Sequence, residues 1–202
     1  MKSDVITVSS RGDQMEAALN QVEKVAKYKG LSGRNALHLR LLTEEMMGMM
    51  RAITDEVQGK FWIVDENGEY QLHLQVVTRM DSEKREKLLA VSSSGRNESA
   101  RGLMGRLRDF FDRGLDEDVA AVPNPLLMPE MYDQGSSSTL DWEWSMAEYT
   151  DALTAGLARN DEGAKEAWDE LEKSVVSHVA DEVKVAIRGR IVEMTILKRL
   201  DA

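Results

Sequence analysis

Phe61-Trp62-Ile63-Val64-Asp65-Glu66-Asn67-Gly68-Glu69-Tyr70-Gln71-Leu72-His73-Leu74-Gln75-Val76-Val77 is the stretch that decides how this chain is read. Two runs rich in aromatic and β-branched residues flank Asn-Gly, the pair that most readily takes the two positive φ angles of a tight primed turn, so the stretch predicts a β-hairpin. Apolar residues alternate at Leu72, Leu74 and Val76, which places one face of the second strand in a core. Moving outward toward residue 1, Val5–Val8 is a short β-branched run and reads as a strand. Met15, Leu19, Val22 and Ala26 recur at helical spacing and predict a helix over 13–28, stopped at Gly30. Ser32 can cap a second helix over 33–55, whose apolar run begins at Leu37.

Moving the other way, Asp81 opens a short charged helix to about Val91, and Ser92–Asn97 is a loop by composition. Leu103, Leu107, Phe110 and Phe111 mark a helix over 100–113. Residues 115–138 contain all three prolines and read as an irregular connector. Ser138-x-x-Asp141 resembles a capping box ahead of a helix over 139–158 with Trp142, Met146, Tyr149 and Leu153 on one stripe. Asn160 opens a second helix over 161–180, carrying Trp168, Leu171, Val175 and Val179, and the two stripes predict a helical hairpin. Val183–Leu197 around Gly189 is a second β-hairpin. The order is β-α-α-β-β-α-loop-α, an acidic helical hairpin, then β-β. It predicts an α+β fold in which a mixed, largely antiparallel sheet of about five strands has its helices on one face.

The 202 residues are 42% hydrophobic, 31% charged and 5% aromatic, enough apolar material for one domain with an elaboration. Zero cysteines exclude disulfides, thiolate zinc sites and thiol catalysis, and a reducing cytoplasmic setting is expected. No run is long and apolar enough to cross a bilayer, and no membrane partner is expected. The net charge of −10 is unevenly placed. Residues 114–182 hold seventeen acids against Arg159, Lys165 and Lys173, so the remainder carries +4. Like charges repel, which sets that segment against nucleic acid. The basic residues between 81 and 112 interleave with six acids and no aromatic platform, so no nucleic-acid partner is expected there either.

The order of elements resembles the ATP-binding fold shared by gyrase, the large heat-shock chaperone, sensor histidine kinases and anti-sigma-factor kinases, the GHKL superfamily. The resemblance implies a Bergerat-like two-layer sandwich formed by 1–113 plus 183–202, with 114–182 as an acidic, mainly helical insertion. Leu41-Leu42-Thr43-Glu44-Glu45-Met46-Met47-Gly48-Met49-Met50 resembles the helix that carries Glu-x-x-x-Asn, with Glu45 at the general-base position. Met49 stands where the family has its magnesium-binding Asn. Reading from Glu44 instead puts Gly48 there. Neither thioether nor glycine offers the hard oxygen that Mg²⁺ requires. Leu72–Val77 resembles the strand that leads to Asp-x-Gly-x-Gly, but Thr78-Arg79-Met80-Asp81 follows. Thr78 thus replaces the adenine-contacting Asp, and Asp81 reads as a helix N-cap. Gly102-x-x-Gly105 resembles the glycine-rich helix start that meets phosphates through free N–H groups.

On this reading the nucleotide positions Glu45, Met49, Thr78, Gly102 and Gly105 are vestigial, and no cofactor or metal is expected. The expected function is a non-catalytic or weakly nucleotide-binding regulatory protein-interaction module, with a protein partner or a second copy of the chain. The alternative keeps ATP and Mg²⁺ binding, as an ATPase or serine kinase with relocated ligands. Elsewhere His38, His73 and His178 lack metal-ligand spacing and read as packing or surface residues. Met46, Met47, Met49 and Met50 read as a core helix face, with an adaptable binding surface as the other option.

Overall fold

The computed structural model describes residues 1–9, 15–53, 58–77, 141–188 and 191–200. In these residues the chain is α+β. Strands β1 (Ile6–Ser9), β2 (Gln58–Glu66), β3 (Glu69–Val77), β4 (Asp141–Ser145), β5 (Glu182–Arg188) and β6 (Ile191–Arg199) form one open sheet in the order β1-β2-β3-β6-β5-β4. The helices are α1 (Met15–Tyr28), α2 (Gly33–Ile53), α3 (Met146–Ala158), α4 (Glu162–Glu172) and α5 (Val175–Val179). Every registered strand pair is antiparallel, where a mixed sheet was expected.

The central hairpin forms as its sequence demands. Asn67 and Gly68 take φ 55° and 90°, the left-handed pair that matches the twist of the flanking strands. The turn is also held from a distance, since Leu200 N–H donates to the Gly68 carbonyl at 2.9 Å. A Cβ on Gly68 would lie 3.0 Å from the Leu200 carbonyl oxygen, so φ and space both select glycine there.

Strand parity then builds the core. Phe61 and Ile63 of β2, Leu72, Leu74 and Val76 of β3, Val183 and Val185 of β5, and Val192, Met194 and Ile196 of β6 are buried together. Ala18, Val22 and Val25 of α1 and Leu39, Leu42 and Met46 of α2 close over them. Each large side chain so buried contributes roughly 1.5–3 kcal/mol. The Ser32 hydroxyl accepts from Asn35 N–H at 3.2 Å and caps α2 as expected.

Residues 139–158 are not one helix. Asp141–Ser145 is a strand, paired with β5 from Asp141↔Arg188 to Ser145↔Lys184. The helix begins only at Met146, after Ser145, whose hydroxyl accepts from Glu148 N–H at 3.1 Å. The N-cap is therefore Ser145, seven residues beyond the expected start at Ser138. Glu182 adds a second cap, its carboxylate accepting from Met146 and Ala147 N–H at 3.1 and 3.3 Å. The next helix is capped by Asp161, while Asn160 takes φ 56° as a turn residue. It ends at Glu172, and α5 follows as a separate short helix, so the expected span 161–180 is two elements. The helices expected from Asp81 and over 100–113, and the connector 115–138, lie outside the described residues.

Helices α3 and α4 meet at a very close approach. A Cβ on Gly156 would stand 2.6 Å from the Ala164 Cβ, with Leu153 and Leu171 buried nearby in the same core. Gly156→Val should therefore destabilise the protein by about 1–3 kcal/mol through overpacking. Urea unfolding measures it, and Ala164→Gly should recover part of the loss; an unchanged midpoint would refute the close contact.

Candidate functional site

Helix α2 carries the residues to which chemistry was assigned, and its burial pattern sorts them. Leu39, Leu42, Thr43, Met46, Met47, Met49 and Met50 face inward, while Leu37 and Gly48 are exposed and Glu44 and Glu45 are half-buried. Arg40 bridges the two helices, ion-paired to Glu23 of α1 and, at 3.2 Å, to Glu44 one turn on. Glu44 is thereby a surface ion-pair partner. Glu45 has no hydrogen-bond or ion-pair partner among the described residues.

Met49 is 1% exposed and belongs to the core. It lies one turn from Glu45 along the helix, yet its side chain packs inside. The four methionines are thus core residues, and their flexible thioethers fill the space between α2 and the sheet. Among the described residues, the inward polar groups of α2 are the Thr43 hydroxyl, which donates to the Leu39 carbonyl at 2.8 Å, and the buried Nδ1 of His38, which has no partner there. Thr78, Gly102 and Gly105 lie outside the described residues. No three Asp, Glu or His side chains converge on a possible metal position among the described residues. The residues present at Glu45 and Met49 do not fit an Mg-nucleotide: a thioether in the core offers no hard oxygen.

Two polar clusters stand elsewhere. Asp65, 3% exposed, accepts from Gly68 N–H at 3.2 Å and from the Lys29 ammonium at 2.5 Å. This ties the end of α1 to the β2–β3 turn. Burial works against the Asp65 charge. The Lys29 hydrogen bond, the Gly68 N–H and the Lys29 charge outweigh it and hold the carboxyl below its ordinary range. The same hydrogen bond raises the Lys29 ammonium, against a smaller opposing effect of burial. Sequence analysis missed this pair. The Asp-x-x-Gly turn was a legible signal for Asp65, but nothing local marks Lys29 as its partner.

The second cluster is on the sheet. Trp62 and His73 stack with centroids 5.0 Å apart and planes 6° from parallel, and the Lys2 ammonium lies 5.3 Å from the Trp62 ring centroid. His73 Nδ1 is 3.2 Å from the Thr195 hydroxyl and 3.9 Å from Glu193. Burial lowers the imidazole pKa and the Lys2 charge adds to this, while Glu193 opposes it, and the net shift is downward. His73 is therefore a packed ring that stays neutral at neutral pH. Compared with family models, curated proteins and solved structures, the chain matches none.

Two expected outcomes follow from this geometry. Met49→Asn, which restores the amide the resemblance calls for, should destabilise the fold by about 2–4 kcal/mol, because it places an unpaired amide in a packed core. Urea unfolding tests this, and an undiminished midpoint would show that the position opens to solvent.

The Asp65–Lys29 pair sets a pH window. A carboxyl held below its ordinary value of 3.8 stabilises above that value and loses its contribution as pH falls through the carboxylate range. A raised lysine stabilises below its ordinary value of 10.5 and loses its contribution as pH rises through the raised one. His73, held below 6.5, adds a decline as pH falls through that value, because the unfolded chain takes up the proton more readily. Lys29→Met should melt several degrees lower at neutral pH and converge on the parent protein in acid. Circular-dichroism melts across pH measure this; parallel curves would remove the pair from the account.

Proposed function

We propose that this chain is a degenerate member of the GHKL superfamily, a two-layer sandwich that has given up nucleotide turnover and works as a regulatory protein-interaction module. Residues 1–113 with 183–202 form its ATPase-like frame, and 114–182 carry the acidic elaboration. The observation that carries this reading is Met49, sealed in the core at the place the resemblance gives to a magnesium-binding amide. The antiparallel hairpin β2–β3, preceded by α1 and α2 and joined to the hairpin β5–β6, supports the frame. Its partner is a protein in a cytoplasmic signalling setting, without nucleic acid or membrane. No helix among the described residues is long and apolar enough to cross a membrane.

The second reading, retained ATP binding with ATPase or serine-kinase activity, has one observation in its favour: Glu45 is half-exposed and unpaired among the described residues. A carboxylate so placed can accept a proton, but beside phosphates without a cation it repels them. Calorimetric titration of the full chain with ATP, with and without Mg²⁺, separates the two readings. The expected result is no saturable binding in the micromolar range. Saturable Mg²⁺-dependent binding that is lost in Glu45→Ala would establish the second reading and overturn the first.

A further inference from the structure

Trp62 lies between two basic groups on the outer face of the sheet. The His73 ring stacks on it from the β3 side, with centroids 5.0 Å apart and planes 6° from parallel. The Lys2 ammonium is 5.3 Å from the indole centroid. Lys2 belongs to the segment that pairs with β2 through Lys2↔Val64, along the edge of β2 away from β3. The ammonium therefore reaches the indole from the side opposite the imidazole. Backbone bonds from Ser3 N–H to the Ile63 carbonyl at 2.9 Å, and from Asp65 N–H to the Met1 carbonyl at 2.8 Å, fix the chain on either side of Lys2. Its side chain is exposed and free to leave the ring.

The other side of the imidazole is built to answer a proton. Nδ1 is 3.2 Å from the Thr195 hydroxyl and 3.9 Å from the Glu193 carboxylate. Among the described residues, the charged groups around the ring on this face are Lys2 and Lys60 on the β2 side, and Glu193, Lys184 and Glu182 on the β6–β5 side. Glu69, on β3 itself, is two rows away. Glu193 favours a proton on the ring and Lys2 opposes it. Once protonated, Nδ1 can only donate, so the Thr195 hydroxyl accepts and Glu193 gains a charge partner. An imidazolium on the indole is itself a cation–π contact, set within about 10 Å of the Lys2 ammonium across one ring.

We propose that His73 is a proton switch for Lys2: an imidazolium on one side of Trp62 loosens the ammonium from the other and uncovers that face of the indole. Two unit charges at this separation shift each other's equilibria about two- to fivefold at low salt. Linkage makes the effect reciprocal, so Lys2 on the ring hinders protonation by the factor with which protonation hinders Lys2. At neutral pH the ring is neutral and Lys2 covers the indole; mild acid opens it. The device goes beyond the interaction-module reading and stands without it.

Nuclear magnetic resonance of the full chain, titrated from neutral to mildly acidic pH, tests this. It follows the His73 imidazole, assigned with His73→Gln, and the Lys2 Hε protons, which the indole ring current shifts while the ammonium is over the ring. Both should titrate with one midpoint, below the ordinary histidine value of 6.5. Lys2→Gln, at an exposed position, should raise the His73 midpoint by about 0.3–0.7 pH unit at low salt, and added salt should shrink the difference. Lys60→Gln, one row along, should move it less. Should His73→Gln fail to fold, the ring is assigned from its Overhauser contacts with Trp62. A His73 midpoint indifferent to Lys2→Gln overturns the proposal. So does a Lys2 signal that does not follow the His73 titration, or a midpoint that answers to Lys60→Gln more than to Lys2→Gln.

Discussion

The pairing of β3 with β6 holds the molecule together. It runs unbroken from Glu69↔Arg199 to Val77↔Ile191, joining hairpins more than a hundred residues apart in sequence. A two-stranded hairpin alone is marginal in water, because one face of each strand remains wet. Joined edge to edge, the two hairpins become a sheet with a continuous apolar face, on which Leu72, Leu74, Met194 and Ile196 lie side by side. Everything else is placed by this seam. It brings Leu200 to the Gly68 turn, Thr195 to His73, and the α3–α5 region beside α2. The entropic cost of closing so long a loop grows only logarithmically with its length, so a long intervening segment is compatible with a stable sheet.

Helix α2 shows how packing can occupy positions that a resemblance assigns to chemistry. Its inner face lies against the sheet, and the thioethers of Met46, Met47, Met49 and Met50 adapt to an uneven surface that a branched side chain would not fill. An amide or carboxylate at the same depth would need a partner, and the inner polar groups of α2 already differ in how they meet that need. The Thr43 hydroxyl turns back on its own helix, whereas His38 Nδ1 finds no partner among the described residues. A surface position such as Glu45 tolerates charge at little cost. Stability and ligand chemistry therefore part company within one turn of the helix.

Electrostatics divides the molecule in a similar way. Seven of the twelve acids of 141–182 ride on helices whose apolar stripes are buried, and local pairs such as Lys165–Glu162 and Lys173–Glu170 relieve only a little of the repulsion. The structurally committed charges lie elsewhere: Asp65 with Lys29 under the hairpin turn, and Glu182 on the first turn of α3. Both carboxylates accept backbone N–H groups that would otherwise be unsatisfied, so each fixes a chain direction as well as neutralising charge.

Among the described residues, several local signals were read correctly. Asn67-Gly68 dictates a turn through its two φ angles, the stripes of α1 and α2 dictate helices through their 3.6-residue period, and the alternation in β3 dictates a buried face. The failure at 139–158 has an equally definite cause. Trp142 is four residues before Met146 and fits a helical stripe, while Asp141-Trp142-Glu143-Trp144-Ser145 also alternates with period two. The two periods coincide over a stretch this short, and Ser138 and Ser145 both offer a cap. Pairing with β5 decided between them, because an extended chain there satisfies the backbone groups along that side of β5. At the candidate site the sequence by itself determined which residue types were present: a carboxylate at 45, a thioether at 49, and no Asn between. Only the tertiary structure decided that Met49 is sealed in the core, that Lys29 meets Asp65, and that Trp62 stacks on His73. Each of these depends on which elements pack together, and no local spacing encodes a contact between residues that the chain brings together only after it folds.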